Sequence, residues 1–236
     1  MERFDTVVLA GGLGTRLRGE VSDLPKVLAP INGTPFLDIL LNYLNKWDCV
    51  GNVIIAVGYM ADKVIERYNN STEYNYEILF SVEEKPLGTG GAIKKALQCV
   101  KTGDFLVLNG DSYTDLCLNA FMKKHIEKNA MMTVVLVEVD NASRYGKVKL
   151  DKENKIVFFE EKNSESSKRY INAGVYLIKK SLFGEVKENK VLSLEKELMP
   201  VFLDKDVYGY VSYGKFFDIG TPETYKAADM YLKEFC

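Results

Sequence analysis

The stretch "FDTVVLAGGLGTRLRG", residues 4–19, joins a β-branched apolar run to a loop carrying four glycines and two arginines. A short apolar run closed by glycines is expected of a buried strand entering a loop. Glycines let backbone N–H groups approach phosphate oxygens, and an arginine adds a charge-assisted fork. The spacing matches neither the G-x-G-x-x-G dinucleotide fingerprint nor the G-x-x-x-x-G-K-[ST] P-loop. Taken alone, the stretch is equally a phosphate cradle or a glycine-rich turn with solvated arginines.

The strand–loop–helix arrangement recurs downstream. "PFLDILLNYLNKW" (35–47) spaces Phe36, Ile39, Leu40, Tyr43 and Leu44 as one face of a helix behind a proline suited to a first turn. Strand "NVIIAV" (52–57) precedes helix "MADKVIERYNN" (60–70), and strand "YEILFSV" (76–82) precedes the glycine-opened helix "GTGGAIKKALQCV" (88–100). Strand "DFLVLNGD" (104–111) precedes helix "LNAFMKKHIEKN" (118–129). This alternation predicts an α/β fold, a Rossmann-like, mainly parallel sheet flanked by helices. His125, on a polar stretch of the last helix, is expected to be solvated.

After residue 130 the texture changes. "MMTVVLVEV" (131–139), "GKVKLD" (146–151), "KIVFFEEK" (155–162) and "YINAGVYLIKK" (170–180) give closely spaced strands, expected to be antiparallel or mixed. A helix "SLEKELMPVFL" (193–203), a strand pair in "VYGYVSYGKFFDIG" (207–220) and a helix "TPETYKAADMYLKEF" (221–235) complete the pattern. With no low-complexity linker and no internal repeat, residues 1–236 are expected to form one domain. Its second half, after about residue 130, is expected to add β-structure over the ligand-bearing edge.

A chain of 236 residues with 47% hydrophobic residues and a formal charge of −2 has no basic excess to attract nucleic acid. Any polyanion must be met locally. No apolar run reaches the ~18 residues of a membrane span, and the N-terminus lacks a signal-peptide layout. Cys49, Cys99, Cys117 and Cys236 are scattered, with His125 the lone imidazole, which disfavours a zinc site or disulfide framework and fits a reducing cytoplasm. Self-association into a homo-oligomer is compatible with this composition.

In an open parallel sheet the ligand sits beyond the carboxyl ends of the strands, so the loops after 4–10, 76–82 and 104–108 should converge. Lys26, in the proline-bounded "DLPKVLAPING", would be an ordinary surface charge were it not ten residues behind Arg16. Gly88, Gly90 and Gly91 open a helix, where free N–H groups suit a polar ligand; close packing of the helix start is the competing explanation. Asp111 and Asp218 each follow an apolar strand, where an aspartate is most often a turn or cap.

The run "LAGGLGTRLRGEVSDLPKVLAPINGTPFL" resembles the signature of the sugar-1-phosphate nucleotidyltransferases, and the later landmarks "EEKPLGTGGAI", "LNGD", "YGKV", "FEEK", "NAGVY" and "FFDIGTPE" follow in the family's order over essentially the whole chain. The resemblance implies the nucleotide-diphospho-sugar transferase fold. It also implies a nucleotide held by Leu9, Ala10, Gly11, Gly12, Gly14, Thr15, Arg16, Glu83, Gly88, Thr89, Asn109 and Asp111. Mg²⁺ would sit on Asp111 and Asp218, and a sugar phosphate would meet Lys26, Gly146, Glu161, Lys162, Asn172 and Gly174. Arg16 and Lys26 would be the catalytic cations, while Arg18 gains no role.

Glu83 falls where the family reads the base edge. A carboxylate accepts hydrogen bonds, so it complements the N1–H and N2–H of guanine and repels the carbonyls of uracil or thymine, which favours GTP. Among short members the chain looks most like the guanylyltransferases of D-glycero-alpha-D-manno-heptose 1-phosphate. Mannose-1-phosphate guanylyltransferases, uridylyl- and cytidylyltransferases and a non-catalytic regulatory module of the same fold are the alternatives. The chain stops shortly after "DIGTPETYKAADMYL", so a C-terminal hexapeptide β-helix is not expected.

Overall fold

In a computed structural model of the chain, residues 3–17, 19–139, 147–160 and 169–231 are described. Strand β1 (Phe4–Leu9) runs through the middle of a nine-stranded sheet. Its neighbours Val7 and Val8 are both fully buried, but on opposite faces: Val7 packs with Ile54 and Val107, Val8 with Ile55 and Leu108. Successive side chains of a strand point to opposite faces, so a strand covered by helices on both sides must be apolar throughout.

The first half follows the expected alternation. After β1 come a small hairpin, β2 (Pro30–Ile31) and β3 (Thr34–Pro35), then α1 (Phe36–Leu44), β4 (Val50–Val57), α2 (Ala61–Tyr68), β5 (Ile78–Val82), α3 (Gly88–Ala96), β6 (Asp104–Asn109), β7 (Ser112–Thr114) and α4 (Leu118–Glu127). The order β6-β1-β4-β5 is parallel throughout, so four carboxyl ends share one edge. The sequence places Lys26 in a proline-bounded loop, and the structure builds that segment as a 3-10 turn at Lys26–Leu28 followed by the β2–β3 hairpin. Asn32 and Gly33 at φ 48° and 83° make that hairpin, because both central residues of its tight turn need positive φ.

The second half comprises β8 (Met132–Val139), β9 (Lys147–Leu150), β10 (Ile156–Glu160), β11 (Arg169–Lys179), α5 (Met199–Phe202), β12 (Val207–Ser212), β13 (Phe216–Asp218) and α6 (Pro222–Tyr231). Val175–Lys179 of β11 pair antiparallel with β6 and weld the two halves into one sheet. On its other edge β11 pairs with β8, and the register slips between Asn172 and Tyr176, where Gly174 takes φ 74°. The bulge re-aims the side chains around it.

Two local expectations change. The helix predicted over 193–203 opens as a π-helical turn, Leu194–Leu198, before α5. The two strands of 207–220 are not partners: β12 adds parallel to β8, and β13 pairs with β7. The crossing is pinned where Ser212 Oγ donates to the Asp115 carbonyl and Gly214 lies so close to it that a Cβ would stand 2.0 Å from that oxygen.

His125 is a correction. It is 1% exposed, with Nδ1 2.8 Å from Thr133 Oγ1 and Nε2 3.6 Å from Asp104 Oδ2. The residues Leu118, Phe121, Met122 and His125 recur at helical spacing, so His125 ends the inward stripe of α4. Among the described residues no helix is long and apolar enough to cross a membrane.

Candidate active site

Leu9 is in register with Asn109 on one side and Ala56 on the other, so the loops leaving β1, β4 and β6 start level. The loops leaving β1 and β6, with the segment that joins β5 to α3, line a cleft of about 270 Å³. Ten of the residues expected there line it: Leu9, Ala10, Gly11, Gly12, Lys26, Glu83, Gly88, Thr89, Asn109 and Asp111. Leu13, Val27, Pro86 and Ala92 complete the lining. These are apolar spacers with no chemical signal of their own.

Lys26 opens the 3-10 turn that follows the glycine loop, and its Nζ donates to Asp111 Oδ2 at 2.5 Å. The Lys26 side chain is 14% exposed and that of Asp111 41%. Asp218 pairs with Ser112 across the β7–β13 ribbon, and the Ile219 amide donates to the Asp111 carbonyl at 2.9 Å, which brings the two aspartates side by side. Asp218 Oδ1 accepts from the Gly220 amide at 2.7 Å and the Thr224 hydroxyl at 3.2 Å, fixing its carboxylate. Two adjacent carboxylates suit a hard cation that completes its shell with phosphate oxygens and water. Among the described residues no cluster of three or more acidic, His or Cys side chains offers a full protein cage.

Glu83 leaves β5 with one oxygen already used: Oε2 accepts from the Leu87 amide at 2.8 Å. Oε1 faces Gly11, where a Cβ would stand 2.9 Å from it, so a residue with any side chain at 11 would displace the carboxylate. Burial pushes the Glu83 carboxyl above its ordinary range, opposed by the Leu87 hydrogen bond and by Lys95.

The start of α3 differs from expectation. The Gly90 and Gly91 amides are not free for a ligand; both donate to the Leu192 carbonyl, at 2.8 and 3.2 Å. A Cβ on Gly88 would stand 2.5 Å from that same oxygen, and one on Gly91 2.3 Å from the Lys190 carbonyl. The missing side chains admit another strand of chain. Thr89 serves both sides, lining the cleft while its hydroxyl accepts from the Leu194 amide and donates to Glu195 Oε2, each at 2.8 Å.

Gly14, Thr15 and Arg16 lie outside the cleft lining. Gly14, at φ 58°, sits over the Lys26 stem, where a Cβ would be 3.2 Å from Lys26 Cβ, and Arg16 is exposed in the turn that follows. Arg18, Gly146, Glu161 and Lys162 lie outside the described residues. Gly174 abuts the cleft residue Asn109, since a Cβ would stand 2.7 Å from Asn109 Nδ2. Asn172 Oδ1 accepts from the Gly174 amide, and its Nδ2 donates to the Tyr176 hydroxyl, which donates to Glu195 Oε1 at 3.1 Å. Tyr176 and Glu195 thus tie the β11 bulge to Thr89. No local pattern marks Glu195, which reaches Thr89 across 106 residues of sequence.

A family model described as nucleotidyl transferase matches residues 5–234. The chain is 36% identical, over 98% of its own length and 100% of the relative's, to the D-glycero-alpha-D-manno-heptose 1-phosphate guanylyltransferase of Aneurinibacillus thermoaerophilus. It is likewise 36% identical to the enzyme of that name from Campylobacter jejuni, over 94% of this chain and 97% of the other. The crystal structure of HddC from Yersinia pseudotuberculosis complexed with GMP-PN matches with a TM-score of 0.85 at 33% identity, covering 98% of this chain and 100% of that one. The match over nearly the whole chain carries a family assignment: the chain belongs to the nucleotidyl transferase family.

Proposed function

We propose that the protein transfers GMP from GTP to a sugar 1-phosphate, D-glycero-alpha-D-manno-heptose 1-phosphate, releasing pyrophosphate and forming a GDP-sugar. The observation that carries this reading is that one cleft is lined both by Glu83, an acceptor suited to the guanine edge, and by the Lys26–Asp111 pair, suited to phosphates. Support for guanine and heptose comes from relatives that bear the guanylyltransferase name over nearly the full chain, and from the similar HddC structure with GMP-PN. The reading includes a cytoplasmic location and a product destined for surface polysaccharide such as capsule or lipopolysaccharide. Residues to about 130 would hold the nucleotide and the remainder the sugar phosphate.

An anionic oxygen of the sugar phosphate would attack the α-phosphorus in line, forming one P–O bond as the bond to the β-phosphate oxygen breaks. The nucleophile is already ionised, so no general base and no covalent enzyme intermediate are required, and catalysis rests on positioning and charge neutralisation. Lys26 would hold the attacking phosphate, and Arg16 would meet the departing pyrophosphate once the glycine loop folds over it. Gly11 and Gly12, with Gly14 and Thr15 beyond them, would follow the triphosphate by backbone. Asp111 and Asp218 would hold Mg²⁺, which would supply neutralisation of phosphate charge. Asn172 and Gly174, with Gly146, Glu161 and Lys162, would shape the sugar pocket.

The test is pyrophosphate release with Mg²⁺, each of the four nucleoside triphosphates, and heptose 1-phosphate beside mannose 1-phosphate and glucose 1-phosphate. GTP with the heptose is expected to be fastest. Higher turnover with UTP or CTP would overturn the role given to Glu83, and a preference for mannose 1-phosphate would move the acceptor to the hexose.

A further inference from the structure

Lys26 is asked to hold an incoming phosphate, yet its ammonium already rests on Asp111 Oδ2 at 2.5 Å. The pair is sheltered on the lysine side, whose side chain is 14% exposed. The second aspartate shares this space. The point where a Gly220 Cβ would stand is 2.6 Å from Asp218 Oδ1 and 3.8 Å from Lys26 Nζ. Lys26 Nζ therefore occupies an oxygen of Asp111 that a cation bound by Asp111 and Asp218 would also use.

From this geometry we infer that the Lys26–Asp111 ion pair is an autoinhibitory contact, in which the lysine acts as an internal counterion until a divalent cation displaces it. The inference rests on the metal and phosphate roles proposed above. An ammonium is a compact charge with rotatable donors on a flexible stem, so it can neutralise a carboxylate in one state and a phosphate in another. The two duties compete for one charge. While Asp111 holds the ammonium, less of that charge is available to the acceptor phosphate; once Asp111 turns to a divalent ion, electrostatics repels Lys26 toward the phosphates. Lys26 Cβ lies against Gly14, so the head group swings about the outer bonds of its side chain without moving the backbone.

Two binding measurements without turnover test the exchange. Mn²⁺ binding to the nucleotide-free full chain, read from the electron paramagnetic resonance signal of free ion, is expected to be at least tenfold tighter in Lys26→Met than in the wild type. The gain should vanish in Lys26→Met/Asp111→Asn. Calorimetric titration with heptose 1-phosphate, without metal or nucleotide, is expected to give at least tenfold tighter binding in Asp111→Asn than in the wild type, because its lysine is released. Lys26→Gln repeats the first arm if Lys26→Met fails to fold. Mn²⁺ affinity unchanged or weaker on loss of Lys26, or phosphate affinity unchanged in Asp111→Asn, overturns the inference. A Lys26→Met protein that is inactive but gains no Mn²⁺ affinity sinks the exchange alone, whereas normal pyrophosphate release by that variant sinks the proposed role of Lys26 itself.

Discussion

Replacing Glu83 by glutamine separates base recognition from fold. The Leu87 amide donates to one Glu83 oxygen at 2.8 Å, and the glutamine carbonyl can accept that bond, so the loop after β5 should keep its shape. The other oxygen, facing Gly11, would become an amide nitrogen. That atom is the one left to accept from guanine, and its replacement sets a donor against a donor. A hydrogen bond to a charged group is worth about 1.5–3 kcal/mol, so kcat/KM for GTP should fall roughly 10- to 150-fold, while UTP, whose carbonyl meets a new donor, should gain. Initial rates of pyrophosphate release with GTP and UTP at saturating sugar phosphate give the ratio directly. A GTP-to-UTP preference unchanged in Glu83→Gln would refute the assignment. Acidity gives a second readout. Burial raises the Glu83 carboxyl above its ordinary value, so the anion proposed to bind guanine should be lost, and KM for GTP should rise, as pH falls through that raised value. Glu83→Gln should show no such rise. The linkage runs the other way for stability. A raised folded-state pKa makes the contribution of Glu83 largest below its unfolded value, and that contribution is lost as pH rises through the folded one, so Glu83→Gln should be no less stable than wild type at neutral pH.

Lys26→Ala should lower turnover by orders of magnitude while leaving the melting temperature nearly unchanged, because Asp111 is open enough to be rehydrated; near-normal pyrophosphate release would exclude the role. Gly174→Ala forces a side chain into φ 74° and within 2.8 Å of Asn109 and Ser112. A cost of about 2–4 kcal/mol should lower the melting temperature by roughly 5–15 °C and raise KM for the sugar phosphate; a fully stable, fully active variant would show that the bulge is permissive. His125→Ala should lose about 2–4 kcal/mol through its cavity and the orphaned Thr133 hydroxyl, seen as a lower denaturant midpoint with KM for both substrates unchanged. A shift in either KM would mean that His125 reaches the site.

What the sequence discloses is what is local in it. The apolar run Phe4–Leu9 closed by glycines announces a doubly covered strand, and four such runs announce the shared carboxyl edge where the cleft lies. The Asn32–Gly33 turn is equally local, as is the helical spacing of Leu118, Phe121, Met122 and His125, which outranks the polarity of their neighbours. Other features have no local trace. Lys26 meets Asp111 across 85 residues, and that meeting decides whether the lysine is free for a substrate. The glycines of "GTGG" pose the same problem in sharper form. A glycine states that something approaches the backbone closely, but not whether that something is a ligand or the chain itself. At Gly90 and Gly91 it is the chain, through the Leu192 carbonyl. At Gly11 it is the carboxylate of Glu83, held by Leu87 and aimed at the cleft. The same residue type therefore admits a main-chain carbonyl on one wall of the cleft and a carboxylate on the other, and only the partner delivered from a distant segment distinguishes them.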